Sequence, residues 1–529
     1  MDREQFRKAG YAAIDWVCDY FENLETLDVM PSVQPGDICK QIPDTAPVEG
    51  EAWQDIADDF DKIIMPGLTH WQSPNFYAYF PANTTFESII ADIMVGGVSN
   101  PGFNWLCSPA CTELEVRMMD WCASLFGLDE SFHNSSKEGG GIIHVCFPLP
   151  RLMNHSLARR LTLCLCLYPS SQGSASEACL SVCIAARERV MRMHPETKHE
   201  DLVIVATTQT HSLGAKAALL LGIQFHPVPT KQENDWAIRG TELREALEAL
   251  EHDGKVPFIF LATVGSTSTG AIDNISEITA TTTELRPRVF VSSCSAAWGG
   301  VYLAIPELRA ECHLEAINRR STRGKLAKDI CGSGEVHSFC TNLHKSGLVT
   351  LDASLLFIRD RRLLTEALDI TPPFLRNAES DSGLVVDYRN WQIALGRRFR
   401  SLKVWFVLRS YGQKMFQEHL SKGIALAQRL ENLVLKHRGN GFELFVPRRF
   451  ALIVIRLLEP NGGDEETLNK AFFARIAKRK DVHLTPTIVG GKSCTRVAIG
   501  GTQTKEQHID HLWKVIREVS DETRQALEC

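Results

Sequence analysis

The chain has 529 residues, enough for roughly three to four domains of about 150 residues, or one large domain with smaller partners. Its 44% hydrophobic and 23% charged residues are ordinary for a soluble globular protein, and a net charge of −7 gives no electrostatic footprint for nucleic acid. No apolar run approaches a membrane span, and the charged start Met1-Asp2-Arg3-Glu4-Gln5 lacks the apolar core of a secretory signal.

The sixteen cysteines include no Cys-x-x-Cys pair. The close ones (Cys107/Cys111, Cys164/Cys166, Cys179/Cys183) lack zinc spacing and a suitable histidine pair, so reduced thiols in a cytoplasmic protein without a metal site are expected. The basic run Arg397-Arg398-Phe399-Arg400 is short and flanked by apolar helix residues, which reads as a solvated or interfacial face.

Along the chain, Ile14, Val17, Cys18, Phe21 and Leu24 recur at three- and four-residue spacing, an apolar helical stripe broken by Pro31 and Pro35-Gly36. A second helix is expected over 53–64, ended by Pro66-Gly67. These helices carry more apolar surface than a small arm buries alone, which points to packing against something else, such as another subunit. The stretch His70-Trp71-Gln72-Ser73-Pro74-Asn75-Phe76-Tyr77-Ala78-Tyr79-Phe80-Pro81 is dense in aromatics and prolines. It reads as a rigid packed loop or as a wall for a planar substrate.

From about 88 to 368, helices alternate with short apolar strands: 202–206, 224–228, 258–263 and 289–291, with a helix near 215–221. Buried strands separated by helices imply a mostly parallel α/β sheet, whose ligands sit at the carboxyl ends of the strands. Gln209-Thr210-His211-Ser212, Gly265-Ser266-Thr267 and His344-Lys345 follow three of these strands and should converge on one crevice. Gly173-Ser174-Ala175-Ser176-Glu177-Ala178 is a small-residue turn entering a helix, where backbone N–H groups and two hydroxyls could cradle phosphate; alone, it reads more readily as packing. Beyond Trp391, helices over 391–412 and 415–437 precede strands at 442–446, 451–457, 482–485 and 496–499, with helices over 465–477 and 506–520. That pattern is a small α+β terminal domain.

In Asn342-Leu343-His344-Lys345-Ser346-Gly347, the lysine follows a strand end at 336–341 and precedes another strand-like run at 348–351. Most lysines are solvated, but one between two buried strands must be paired or covalently used. Beside a histidine, it suggests an amine that forms a Schiff base with a carbonyl cofactor.

Taken together, these stretches resemble the group II pyridoxal-phosphate decarboxylases, specifically the aromatic L-amino acid decarboxylases and their fungal tyrosine-decarboxylase-like relatives. The likeness runs from the N-terminal helix to about Val519. It is carried by Ile63-Ile64-Met65-Pro66-Gly67, Ser108-Pro109-Ala110-Cys111-Thr112-Glu113-Leu114-Glu115, residues 173–178, Asn342-x-His344-Lys345 and residues 388–401. It implies a type I pyridoxal-phosphate-dependent transferase fold: an N-terminal helical dimerisation segment (1–85), a large cofactor domain (86–402) and a small C-terminal α+β domain (403–529). It also implies pyridoxal 5′-phosphate as cofactor, a homodimer, and no nucleic acid or membrane partner. By the same likeness, Lys345 would be the Schiff-base lysine and His344 its neighbour near the cofactor. Ser174, Ala175, Ser176 and Asn342 would hold the phosphate, and His211 would stack on the pyridine ring. Ser266 stands where the family usually has threonine, and Ala297 lies in the cofactor site. Trp71, Tyr79, Phe80 and Pro81 would line a pocket suited to an aromatic side chain.

Four features depart from the family pattern. In Ser295-Ala296-Ala297-Trp298-Gly299-Gly300, a serine stands where an aspartate usually keeps the ring nitrogen protonated, so a hydroxyl replaces a negative charge. That should weaken the electron sink and cofactor retention. In Thr371-Pro372-Pro373-Phe374-Leu375-Arg376, Phe374 replaces the catalytic-loop tyrosine that reprotonates the substrate carbon; relatives with phenylalanine there release aldehydes. Ser346 replaces a tryptophan after the lysine, removing a large packing group. Finally, residues 145–172 form an insertion just before the phosphate turn, rich in Leu, Cys, Arg and Ser. It reads as a translated intron or as an unusual surface loop, since its removal joins Ile143-His144 to Gly173-Ser174 in the family's register. The segment 309–334 is also longer than the family pattern.

The leading reading is decarboxylation of an aromatic L-amino acid (tyrosine, dopa, tryptophan or phenylalanine) to the amine and CO2. The alternatives are an aromatic aldehyde synthase, from Phe374, or a non-catalytic homologue, from Ser295 and the insertion.

Overall fold

The computed structural model describes residues 1–144, 175–285, 291–320, 335–376, 378–459 and 462–528. They form two compact units: Asn83–Lys422, and Met1–Ala82 together with Gly423–Cys529. Most of the first expected segment and residues 423–529 of the last thus form one unit, while 403–422 belong to the larger one. The insertion 145–172 and most of 309–334 lie outside the described residues.

The smaller unit opens with α1 (Arg3–Asn23). The Asp2 carboxylate accepts the N–H groups of Glu4 and Gln5 while Gln5 Oε1 accepts that of Asp2, a reciprocal cap that satisfies otherwise unpaired donors. The second helix is shorter than 53–64: α2 (Trp53–Asp59) passes into a π turn at Phe60–Ile64.

The larger unit contains α3 (Phe86–Val98), α4 (Pro109–Phe126), β1 (Gly140–His144), α5 (Ala175–Met193), β2 (Leu202–Thr207), α6 (Leu213–Leu221) and β3 (Gln224–Val228). It continues through α7 (Gly240–His252), β4 (Val256–Thr263), α8 (Ile275–Leu285), β5 (Val291–Ser295), β6 (Val336–Asn342), β7 (Ser354–Ile358) and α9 (Arg362–Leu368). The sheet order is β1-β7-β6-β5-β4-β2-β3. Strands β3, β2, β4, β5 and β6 are parallel, while β7 runs antiparallel to β6 and to β1. β1 therefore points the same way as β6. The described residues of β1, β2, β6 and β7 are all buried, as strands covered on both faces must be. Pro227 sits in the edge strand β3, where its missing donor costs no ladder bond.

The central strand β5 is the polar exception. Its Ser292 N–H donates to His337 Nδ1 (3.2 Å), and Ser338 Oγ donates to Ser293 Oγ (2.9 Å), so neighbouring β6 satisfies these groups inside the sheet. The strand begins at Val291, later than the 289–291 run suggested; residues 286–290 lie outside the described residues.

Three other expectations change. Residues 348–351 are not a strand: Leu348 has φ +64°, its carbonyl accepts from Thr85 Oγ1, and the Thr350 N–H donates to Ser88 Oγ. The start of α3 thus takes the backbone partners that a sheet would need. Residues 391–400 are irregular, and the long helix α10 (Ser401–Lys436) follows, broken at Gly412 (φ +62°). Nor are Arg397 and Arg400 a solvated face; both are buried. Arg397 pairs with Glu115, whose carboxylate also accepts the Ile143 N–H (2.9 Å). Arg400 grips Asp352 through Nε and Nη2, each at 2.9 Å.

The smaller unit resumes with β8 (Phe442–Leu444), β9 (Leu452–Leu457), α11 (Glu465–Ile476), β10 (Thr485–Val489), β11 (Lys492–Ala498) and α12 (Glu506–Glu528). Its four strands form an antiparallel sheet in the order β10-β11-β9-β8.

Replacing one partner of a buried ion pair strands the other charge. Arg400→Leu should therefore cost about 3–5 kcal/mol of unfolding free energy by urea titration; a loss below about 1 kcal/mol would show that Asp352 finds other compensation. A second expectation concerns pH. Burial pushes His144, His337 and His344 down to about 3 and His419 to about 4. Unfolded imidazoles take up protons near 6.5, so this stability is present above pH 6.5 and drains away as pH falls towards 3–4. Asp273, raised by burial to about 7, acts in the opposite sense between pH 7 and 4, one group against four. The urea midpoint of the apoprotein should fall from pH 7.5 to pH 5; a constant or rising midpoint would contradict this balance.

Candidate active site

The strand register lines up polar residues along one edge of the large sheet. His144 ends β1 opposite Ser354, Ser354 lies opposite Asn342 at the end of β6, and Ser295 ends β5 opposite Thr263 at the end of β4. Thr207 ends β2. This is the carboxyl edge of the parallel strands, where α/β sheets bind ligands.

Lys345 stands on the turn that leaves this edge after β6, and it is half-buried. The base of the turn is closed twice at Ala353. Its carbonyl accepts the Leu343 N–H (2.9 Å), and its N–H donates to His344 Nδ1 (2.9 Å). That second bond puts the proton of the neutral imidazole on Nε2. Next to Ala353, Asp352 is held by Arg400. On the other side, the Asn83 N–H donates to the Lys345 carbonyl (3.3 Å), and Asn83 Nδ2 meets His419 Nε2 (3.4 Å). The turn that carries the amine is therefore fastened from β7, α10 and the segment before α3. Ser346 is fully buried, so the turn packs without a large side chain at that position.

Other expected residues take the following places. Asn342 is buried, and its Oδ1 accepts from Ser354 Oγ (2.8 Å). Ser295 is half-buried at the centre of the edge. Ala297 follows it, and its carbonyl accepts the Asn342 N–H (3.1 Å). The loops after β4 and β5 touch backbone to backbone, since a Cβ on Gly299 would sit 2.4 Å from the Val264 carbonyl oxygen. Ser266 is buried and its Oγ accepts the Ala271 N–H (3.0 Å), so the hydroxyl shapes its own turn. His211 is exposed just ahead of α6, where its Nδ1 accepts the Leu213 N–H (3.2 Å). Ala175 is the buried first residue of α5 and Ser176 follows, half-buried; Ser174 lies outside the described residues.

Phe374 falls in a short 3-10 turn, Pro373–Leu375, and its side chain lies outside the described residues. Arg389 Nη1 donates to the neighbouring Leu375 carbonyl (3.0 Å). The aromatic stretch belongs to the smaller unit. There, Trp71 and Tyr79 are exposed and stack at 5.4 Å with an 18° interplanar angle, while Phe80 and Pro81 are buried and Arg496 lies over the Phe80 ring.

Several residues of the edge escaped the sequence reading. Asp273 is fully buried, and its carboxylate accepts the N–H groups of Ile238 (3.2 Å) and Thr263 (2.7 Å). His144, Ser354, Asn83 and His419 owe their positions to strand pairing and long-range packing that no local motif announces.

These side chains fit pyridoxal phosphate at most points. Lys345, a half-buried residue, would meet the aldehyde, and a helix start with Asn342 would offer donors to a phosphate. The mismatch would be at the ring nitrogen, where Ser295 carries only a hydroxyl and the buried carboxyl of Asp273 is engaged by two backbone N–H groups.

The pyridoxal-dependent decarboxylase conserved domain matches residues 35–160 and 169–458, and the stretch it passes over lies inside 145–172. The chain is 34% identical to tryptophan decarboxylase 2 of Oryza sativa subsp. japonica, covering 98% of this chain and 95% of the relative. It is 35% identical to phenylacetaldehyde synthase of Arabidopsis thaliana, covering 98% and 96%. The solved structure of Oryza sativa TDC with PLP and tryptamine superposes with a TM-score of 0.86 at 31% identity, covering 99% of each chain. With its fold and nearly its whole length matched in this way, the chain belongs to the family of pyridoxal-phosphate-dependent decarboxylases.

Proposed function

We propose that the chain decarboxylates an aromatic L-amino acid, releasing the amine and CO2. The observation that carries this reading is the fastened turn that bears Lys345 at the carboxyl edge of the sheet, in a chain whose full-length relatives act on aromatic substrates by their names.

Lys345 would hold the cofactor through its aldehyde carbon. Ser174, Ala175, Ser176 and Asn342 bind the phosphate, and His344 orients the turn from beside the lysine. His211 covers one ring face, with Ser266 and Ala297 lining the pocket. Ser295 offers the ring nitrogen a neutral hydrogen bond. Bound pyridoxal phosphate supplies a conjugated electron sink for the pair left behind when CO2 departs. The exposed Trp71–Tyr79 stack is a flat apolar surface suited to an aromatic side chain, and Phe80 and Pro81 support it.

A homodimer follows from the apolar surface that one chain leaves uncovered: Phe6, Tyr11 and Ile14 on α1 and Trp53 and Ile56 on α2 are all exposed. No helix among the described residues is long and apolar enough to cross a membrane, and we assign the protein to the cytoplasm.

Phe374 favours a second reading. Without a phenol to reprotonate the substrate carbon, dioxygen takes the electrons; amino acid, O2 and water then give aldehyde, CO2, ammonia and hydrogen peroxide.

Incubating the cofactor-loaded protein with tyrosine, dopa, tryptophan and phenylalanine separates these readings. Decarboxylation gives amine and CO2 in equal amounts without oxygen uptake; aldehyde synthesis gives aldehyde and peroxide matched to oxygen consumed. A protein that shows the visible band of lysine-bound cofactor and yields neither product set would refute both. Ser295→Asp restores a negative charge at the ring nitrogen, so it should slow cofactor loss on dialysis and raise turnover at least tenfold, a gain of about 1.4 kcal/mol. Unchanged turnover would show that the neutral partner does not limit the chemistry.

A further inference from the structure

We propose that His144 is a further phosphate-binding residue, its ring N–H donating to the cofactor's 5′-phosphate beside Asn342 and the start of α5. The proposal rests on the family's cofactor and adds a residue that no motif contains.

His144 is fully buried, and among the described residues neither of its ring nitrogens has a hydrogen-bond partner. Such a group is destabilising unless something fills its bonding capacity. Its direction follows from the two-residue alternation of strands. His144 shares a face with Ile142, Ser354 with Leu356, and Asn342 with Cys340. Ile142, Leu356 and Cys340 belong to one buried cluster with Ala175, Ala178 and Cys179 of α5. The row His144-Ser354-Asn342 therefore faces the side of the sheet that α5 covers, at the edge where that helix begins.

A 19-residue helix has there the positive end of its dipole and first-turn N–H groups with no partner inside the helix. Ser354 Oγ occupies Asn342 Oδ1, which turns the donor side of that amide away from β7. Burial, with Arg397 and Arg400 close by, keeps the imidazole neutral, so it carries one N–H to give. The competing account is an inert core histidine bridged by water to Arg400 Nη1, which also lacks a partner among the described residues.

Binding to the apoprotein distinguishes the two. Pyridoxal 5′-phosphate, pyridoxal and inorganic phosphate are compared, the aldehydes by the lysine-bound absorption band and phosphate by competition. His144→Met removes the donor at similar volume. It should weaken pyridoxal 5′-phosphate and inorganic phosphate by about 10- to 100-fold, the range of one hydrogen bond to a charged group, and leave pyridoxal unchanged. His144→Gln keeps an N–H donor and should stay within a few-fold of the parent. Unchanged phosphate affinities in His144→Met, or an equal loss for pyridoxal, would overturn the proposal. If His144→Met does not fold, His144→Asn against His144→Gln decides. The shorter amide should bind pyridoxal 5′-phosphate about tenfold more weakly at equal pyridoxal affinity, and equal affinities would overturn the proposal.

Discussion

The bidentate pair between Arg400 and Asp352 is the constraint on which the lysine turn depends. Both charges are out of water, and removing either leaves the other without its bidentate partner. Asp352 sits directly before Ala353, the residue that closes the turn on Leu343 and His344. Fixing Asp352 therefore fixes the base of the loop on which Lys345 rides. The irregular run before α10 makes this possible, because it sends Arg397 to Glu115 and Arg400 to Asp352 within four residues. A lysine that must meet one carbon atom repeatedly gains more from such anchoring than from a longer strand.

The sheet explains where the remaining polar groups lie. Strands buried on both faces leave little room for unpaired donors along their length. Polar residues concentrate at the carboxyl edge, and where β5 carries serines deeper in, His337 and Ser338 of β6 answer them. The weak point of the arrangement is Ser295. A hydroxyl stands at the middle of the edge where the chemistry calls for a charge, and Asp273, one strand away, spends its carboxylate on two backbone N–H groups. In the proposed site, Ser295 would leave the electron sink muted.

Much of this was legible in the chain. The apolar runs of β2, β3 and β4 locate the parallel strands, and the turns after them carry His211 and Ser266, because strand periodicity and turn chemistry are local. The misreadings share one physical cause. Leu348-Val349-Thr350-Leu351 looks like a strand, yet Thr85 and Ser88, more than 250 residues away, take its backbone groups. Residues 391–400 look helical from their apolar spacing, yet distant carboxylates draw their arginines inward. His144 and Asp273 carry no local signal, since each is defined by strands paired far along the chain. The place of Lys345 on the turn after β6 was legible because a charge between apolar segments stands out in the chain.

The central claim is that the Lys345 amine is the attachment point of the cofactor. Borohydride reduction of the cofactor-loaded protein, followed by digestion and mass spectrometry of the peptides, tests this directly. The phosphopyridoxyl mass should appear on the peptide containing Lys345 and on no other lysine. The label on a different lysine, or no label on a protein that has bound the cofactor, would contradict the account.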